Sequence, residues 1–291
     1  MDKPQDVLIT GCEGFIGKAL ALSLAEAGRR VWGIDRVCSA GGRTLQADLL
    51  DLEQTQRAFA ATPQVSVVVH TAALAHGQRP PSGYSRASFN TTVTANILEA
   101  LRGRNPRFLF LSSVAVYGED RRTGPVGVDA ELRPATDYGR GKKTCEELLL
   151  KSELTHCDIL RLAPVYDARH VRDLRKRACL PGLSNAKFLL TPEPAYSLCH
   201  VDTLSRIVVN CLSQPPRGRR IVNVADPVAY AQHQIASWFP GRTIGLRRSL
   251  VRPFYYVTYL LPPRLGYSLR CTYWKLMHSN VYQTDTDLQG E

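Results

Sequence analysis

The sequence predicts an α/β protein built on a doubly wound parallel sheet, with a less regular C-terminal portion. Three observations predict it. Apolar, strand-like runs alternate with helical patterns through to about residue 165, with no internal repeat. Those runs are nearly continuous rather than alternating, as strands buried on both faces are. The first of them meets a turn with glycines at 11, 14 and 17 that opens directly into a helix.

Val7-Leu8-Ile9 makes the first strand, and Ala19, Leu20, Leu22, Leu24 and Ala25 form the apolar stripe of the helix, which Gly28 ends. Val31-Trp32-Gly33-Ile34 makes the second strand, with Asp35 at its tip. A short third strand around Leu45-Gln46-Ala47 leads to Asp48-Leu49, then a helix over Leu52 to Ala61. Val65–Val69 is the next strand and ends in His70-Thr71-Ala72-Ala73. A polar loop follows, then a helix through Asn90, Thr94, Ile97 and Leu101, and the strand Arg107–Leu111, ending in Ser112-Ser113. After a charged loop rich in Gly and Pro, Asp137-Tyr138 opens a helix carrying Gly139 and Gly141 in its first turns. Each glycine costs such a helix about 1 kcal/mol relative to alanine, which is tolerable where something must approach closely. Cys157–Leu162 is another strand, ending at Ala163-Pro164-Val165. Beyond it the alternation weakens: 167–199 is basic and proline-broken, Cys199-His200-Val201-Asp202 caps a helix over Leu204 to Leu212, and Ile221–Val224 is a last strand. The tail from Pro227 reads as irregular, basic and aromatic.

The 291 residues suffice for one large domain or two small ones. The polar opening residues predict no secretory leader, and no apolar run reaches the ~18 residues of a membrane-spanning helix. Eight scattered cysteines without a CxxC pair point to reduced thiols in a cytoplasmic protein and to no metal site. The net charge of +11 gathers in Arg169–Arg177, Arg217–Arg220 and Arg242–Arg252. Such clusters suit an anionic substrate or an anionic membrane surface, and solvated loops account for them equally. No nucleic-acid-binding motif accompanies them, so nucleic acid is not expected as a partner.

The glycine turn is a dinucleotide site in outline. Gly11 and Gly14 let backbone N–H groups reach a pyrophosphate, Phe15 and Ile16 begin the helix whose N-terminus attracts phosphate, and Gly17 lets that helix pack on its strand. Asp35 lies near the ~20-residue offset of an acid that binds a ribose diol. It favours NAD, whereas Arg36 beside it would accept the 2′-phosphate of NADP. Asp48 and Leu49 are placed to meet an adenine, and Thr71, Ala72 and Ala73 to let the cofactor pass close to the backbone. Ser113, Tyr138 and Lys142 form a reaction set. Tyr138 and Lys142 share a helix face at i, i+4, where an ammonium lowers a phenol from its usual pKa of about 10. Tyr138 then exchanges a proton with a substrate hydroxyl, and Ser113 hydrogen-bonds the same oxygen.

In ordered combination, these motifs resemble the extended short-chain dehydrogenase/reductase family, in its NAD-dependent epimerase/dehydratase branch. The matches are Thr10-Gly11-x-x-Gly14-Phe15-Ile16-Gly17, His70–Ala73, Asn90 with Thr94, Ser112–Gly118, Tyr138-x-x-x-Lys142, Leu160-Arg161 before Pro164-Val165-Tyr166, His200-Val201-Asp202 and Asn223-Val224. The resemblance implies a Rossmann domain (1–165, with 200–225 returning to it) and a substrate-binding region (166–199 and 226–291). It assigns Ser113, Tyr138 and Lys142 to catalysis and adds Asn90 and Pro164 to the cofactor set. It implies a nucleotide-sugar substrate, met by His76, Ser112, Val165, Tyr196 and Arg247, and a homodimer through the helices bearing Asn90 and Tyr138.

Departures narrow the activity. Val114-Ala115 stand where family dehydratases carry Asp-Glu, which argues against dehydration. Pro164 and Asp167 replace an Asn and a Gly common in epimerases, and Tyr196 replaces a pyrophosphate-clamping Arg, a role open to Arg247, Arg248 or Arg252. The expected activity is epimerisation at C4 of a nucleotide sugar through a 4-keto intermediate. The alternatives are a one-way 4-keto-sugar reductase or dehydrogenase and a cofactor-sensing protein without turnover. The stretch 247–276 either lies on a membrane surface, which suits polysaccharide biosynthesis on lipid carriers, or packs on the substrate domain or a dimer partner.

Overall fold

The computed structural model describes residues 6–38, 43–75, 78–118, 124–179 and 186–285. Its centre is a seven-stranded, all-parallel sheet. β1 (Asp6–Thr10), α1 (Phe15–Glu26), β2 (Arg30–Asp35), β3 (Thr44–Gln46), α2 (Leu52–Ala61), β4 (Val67–His70), α3 (Arg86–Ala100) and β5 (Arg107–Ser113) alternate as expected. A 3₁₀ turn (Val114–Tyr117), α4 (Asp137–Lys151) and β6 (Cys157–Leu162) follow. The chain then leaves the sheet through β7 (Val165–Tyr166), α5 (Arg172–Arg175), β8 (Ala186–Thr191), β9 (Ala195–Tyr196) and β10 (Cys199–His200). It returns with α6 (Val201–Ser213) and β11 (Arg219–Val224), and ends in β12 (Tyr230–Ala231), α7 (Gln232–Ser237), β13 (Arg242–Arg247), α8 (Arg248–Val257) and α9 (Pro263–Met277).

The strand order is β11-β6-β5-β4-β1-β2-β3. Strand residues alternate between the two faces, as a two-residue period demands. Val7, Ile9, Leu109, Leu111, Leu160 and Leu162 pack with Leu20 and Leu24 of α1 and Leu204, Ile207 and Val208 of α6. Leu8, Val68, Phe108, Phe110 and Ile159 face Phe59 of α2, Val93 and Ile97 of α3 and Cys145 and Leu149 of α4. Three two-stranded pairs lie outside the main sheet: β7 with β10, β9 with β12, and β8 with β13. The order reverses at β1, whose neighbours are β2 and β4, so the crevice for a ligand opens beyond the carboxyl ends of β1 and β4.

The helix starts differ. Asp51 caps α2, Ser85 caps α3, Thr136 caps α4 and His200 caps α6, each accepting a backbone N–H with its side chain. No side chain caps α1.

The expectation of an irregular tail is overturned. Pro263 occupies the first position of α9, where no intrahelical N–H is required, and α8 runs through Pro253. β13 is held by parallel pairing to β8, from Arg242 opposite Ala186 to Arg247 opposite Thr191. Phe188 and Leu190 of β8 bury with Met277, and Leu246, Val251, Tyr273 and Leu276 pack against them. Among the described residues no helix is long and apolar enough to cross a membrane, and no cluster of three or more His, Cys, Asp or Glu could hold a metal ion.

Candidate active site

Gly11 turns the chain after β1 at φ +76°, a conformation that glycine adopts freely. A Cβ there would stand 2.7 Å from the backbone of Ala72, just after β4. At Gly17 a Cβ would come 2.1 Å from the Gly11 carbonyl oxygen, so α1 begins hard against the turn. The Thr71 hydroxyl donates to the carbonyls of Thr10 (2.7 Å) and Gly11 (3.1 Å) and ties the two strand ends together at the crevice. Gly14 is the N-cap of α1, and the first turn holds no acidic residue. Ile16 packs against the sheet core. The Asp35 carboxylate accepts N–H bonds from Glu13 (3.0 Å) and Val37 (3.2 Å) and keeps acceptor capacity for a diol. A tight backbone cradle, an uncapped helix start and a carboxylate at the next strand tip fit the pyrophosphate and ribose of a dinucleotide.

The other cofactor candidates divide. Arg36 is exposed, and Asp48 is half-buried with its carboxylate accepting the Leu50 N–H at 3.0 Å. Ala72 and Ala73 are half-buried at the crevice, and Pro164 is half-buried with its carbonyl accepting the Cys199 N–H. Leu49 and Asn90 are corrected to structural roles. Leu49 is a core side chain between the sheet and α2 and α3. Asn90 is buried, and its side chain binds both backbone groups of Leu74, so it fixes the loop after β4.

Ser113 ends β5, its hydroxyl accepts the Ala115 N–H at 3.2 Å, and it lies close enough to Tyr138 to act on that phenol's pKa. The two glycines of α4 explain how Tyr138 comes so close. A Cβ on Gly139 would lie 2.5 Å from the Ala115 carbonyl, and one on Gly141 would lie 2.6 Å from the Cα of Ala87 on α3. Lys142 is buried, and its Nζ donates to the Leu111 carbonyl at 2.7 Å and sits 4.6 Å from the Phe110 ring centroid. It stands 5.9 Å from the Tyr138 ring centroid. Burial pushes the Tyr138 phenol up to about 12, against the lowering effect of Ser113, and burial pushes Lys142 down to about 8. The expectation that Lys142 lowers the phenol is therefore not met in this arrangement, because a buried ammonium needs a hydrogen-bond partner and takes the Leu111 carbonyl.

Among the substrate candidates, Ser112 and Tyr196 are corrected. The Ser112 hydroxyl donates to the Glu146 carboxylate in the interior. Tyr196 is fully buried, and its hydroxyl donates to the Leu276 carbonyl at 2.8 Å. Val165 is half-buried in β7 beside the sheet core, Arg247 is exposed at the end of β13, and His76 lies outside the described residues.

Two groups escape the sequence reading. Glu146 anchors a buried network: it takes the Ser112 proton donor and Arg161, and Arg161 also donates to Tyr117, whose hydroxyl donates to Asn223 at 2.6 Å. This network sets the end of β5 and the 3₁₀ turn behind Ser113. Its one sequence signal is a carboxylate four residues after Lys142 on the inner face of α4. His170 stacks on Phe15 with ring centroids 3.8 Å apart, and its Nδ1 is 2.8 Å from Asp167. The i, i+3 spacing of Asp167 and His170 is the trace it leaves in the sequence.

Comparison with known proteins agrees with this geometry. Residues 7–225 match the model of the NAD dependent epimerase/dehydratase family. The chain is 31% identical over 162 residues to UDP-glucose 4-epimerase uge1 of Schizosaccharomyces pombe, a match covering 49% of this chain and 45% of that protein. It is 27% identical over 241 residues to the UDP-glucose 4-epimerase of Vibrio cholerae, covering 77% of this chain and 71% of that one. The first of these matches, like several others, spans about half the length of the curated relative. MoeE5, solved in complex with UDP-glucose and NAD, superposes with a TM-score of 0.64 at 27% identity, covering 83% of this chain and 85% of that one. A parallel sheet with a glycine cradle at its switch point, a Ser–Tyr contact one helix away and a family match over three quarters of the sequence lead to one assignment: the chain belongs to the NAD-dependent epimerase/dehydratase family.

Proposed function

We propose that the protein is an NAD-dependent epimerase acting at C4 of a nucleotide sugar. The observation that carries this reading is Ser113, at the carboxyl end of β5, standing close enough to the Tyr138 phenol to favour its ionised form. It lies two strand spacings, about 10 Å, from the glycine cradle at β1 in the same sheet. The relatives named for UDP-glucose 4-epimerisation and the MoeE5 complex with UDP-glucose and NAD support a nucleotide-sugar substrate. Asp35 supports NAD over NADP, since its carboxylate repels a 2′-phosphate. Residues 1–165 with 200–225 serve as the cofactor domain and 166–199 with 226–291 as the substrate region, in a cytoplasmic protein that pairs as a homodimer through the outer faces of α3 and α4.

NAD held by the Gly11–Gly17 turn and Asp35 would supply the acceptor, and then the donor, of the C4 hydride. Tyr138 removes the C4 hydroxyl proton in the first half and restores it in the second. Ser113 donates a hydrogen bond to the same oxygen and holds it against Tyr138. With its phenol raised, Tyr138 carries its proton at neutral pH. Its turn as base requires the Lys142 charge closer to the phenol than the Leu111 carbonyl now holds it.

A one-way 4-keto-sugar reductase is the second reading. It rests on Tyr196, which buries a phenol where epimerases of the family place a clamping guanidinium. Denaturing the dialysed protein and identifying the released dinucleotide separates the two. NAD retained near one per chain, with UDP-glucose and UDP-galactose interconverted, supports the epimerase. A protein that emerges empty, then consumes added NADH or NADPH with a keto sugar, is the reductase, and one that binds no dinucleotide sinks both.

A further inference from the structure

Half of the exposed large apolar side chains among the described residues lie in one stretch of twenty, Leu250 to Leu269, the α8–α9 hairpin. One side of α8 is spent on the fold: Val251 packs over Phe188 and Leu190, and Thr258 just beyond the helix is buried. The side next to it is bare. Leu250, Phe254 and Val257 fall at i, i+4 and i+7 in a single stripe, with Leu250 72% and Phe254 73% exposed. Leu260 in the connection is 86% exposed, and Leu265 and Leu269 continue the surface at i, i+4 on α9. Tyr256, Tyr259 and Tyr267 are exposed among them and offer rings with polar tips.

The charge carried by this stretch of the sequence is of one sign. Between Asp226 and Asp285 the chain holds seven arginines and lysines and no Asp or Glu. Arg247 and Arg252 are exposed, and steps of 100° per residue place Arg252 across the exposed arc of α8 from the leucine stripe. Arg270 lies 4.3 Å from the Tyr259 ring centroid. A second copy of the chain seated here by two-fold symmetry would bring the same cations face to face, and this stretch supplies no carboxylate to answer them. A bilayer bearing acidic lipids answers both features at once, with acyl boundary for the stripe and phosphates for the arginines.

We propose that the α8–α9 hairpin docks the protein on an anionic lipid surface, its leucine and phenylalanine stripe entering the headgroup boundary. The inference stands on this surface alone and does not depend on the activity proposed above. The test is cosedimentation of the full chain with vesicles of phosphatidylcholine and of phosphatidylcholine mixed with phosphatidylglycerol. Binding to the mixed vesicles only, weakening as salt rises, is expected. The Phe254→Gln/Leu260→Gln variant should bind about tenfold or more weakly, since it removes the two most exposed apolar side chains of the hairpin from the lipid. Its dinucleotide content and circular dichroism should match the parent, and if it does not fold, Leu250→Gln carries the same test. No binding to the mixed vesicles overturns the proposal, as does equal binding by the variant. So does a parent dimer in light scattering that the variant dissolves, which would make this face a contact between copies.

Discussion

In the proposed mechanism the chemistry turns on Tyr138 and Ser113, and each has a distinct expected loss. Tyr138→Phe removes the only atom of that ring able to move a proton. Epimerase turnover should fall by about 10²–10⁴-fold, the usual worth of a positioned acid–base group, while dinucleotide binding stays intact. Ser113→Ala should cost about 10²-fold, as loss of one hydrogen bond to the reacting oxygen does. Full turnover in Tyr138→Phe, measured by interconversion of UDP-hexoses, would remove that residue from the mechanism. Legibility at this scale depended on what each side chain meets. The spacing of Tyr138 and Lys142 was readable, and the structure places both on the inner side of α4. The destination of the Lys142 ammonium was not readable, because the Leu111 carbonyl becomes its neighbour only when β5 and α4 pack together. Ser112 and Tyr196 were misread for the same reason: their partners, Glu146 and Leu276, lie 34 and 80 residues away.

Among elements, the α3–α4 pair shows how a local cost serves a tertiary contact. Gly141 forgoes about 1 kcal/mol of helix propensity relative to alanine. Restoring a Cβ would drive it to 2.6 Å from the Ala87 Cα, and backbone cannot swing away as a side-chain end can. Overpacking of this kind costs about 1–3 kcal/mol, so the contact outweighs the propensity. Gly141→Ala should therefore lower stability by up to about 2 kcal/mol, the overpacking cost less the propensity regained, read as a drop in the urea midpoint with an unchanged slope. A stabilised variant would mean that the two helices do not approach this closely. The central elements were legible because their strands are buried on both faces and their helices carry stripes or caps. The tail was not: Pro253 and Pro263 read as breaks, yet one lies within α8 and the other starts α9. β8 and β13 were hidden too, since each depends on a partner about 50 residues away in the chain.

At the scale of the whole molecule, His70 joins three layers of the fold and ties stability to pH. It is buried at the end of β4. Its Nδ1 is 2.8 Å from the Thr10 hydroxyl on β1, and its Nε2 is 3.1 Å from the Thr94 hydroxyl on α3. Phe108 and Phe110 of β5 pack beside it, and Lys142 of α4 adds like charge. Burial first, and Lys142 second, push its pKa down from 6.5 to about 3. The folded state therefore keeps a neutral imidazole where the unfolded chain would take up a proton. The sign follows: this contribution is complete above pH 6.5 and is lost progressively as pH falls toward 3. Between pH 7 and pH 5 the loss from this group should be about 2 kcal/mol. Urea unfolding followed at both values would register it, and His70→Asn is the control. That variant starts from lower stability, having lost one of the two threonine contacts, but should lose about 2 kcal/mol less between the two values. An identical pH slope in parent and variant would show that His70 is protonated in the folded protein, and that the acid sensitivity of this sheet resides elsewhere.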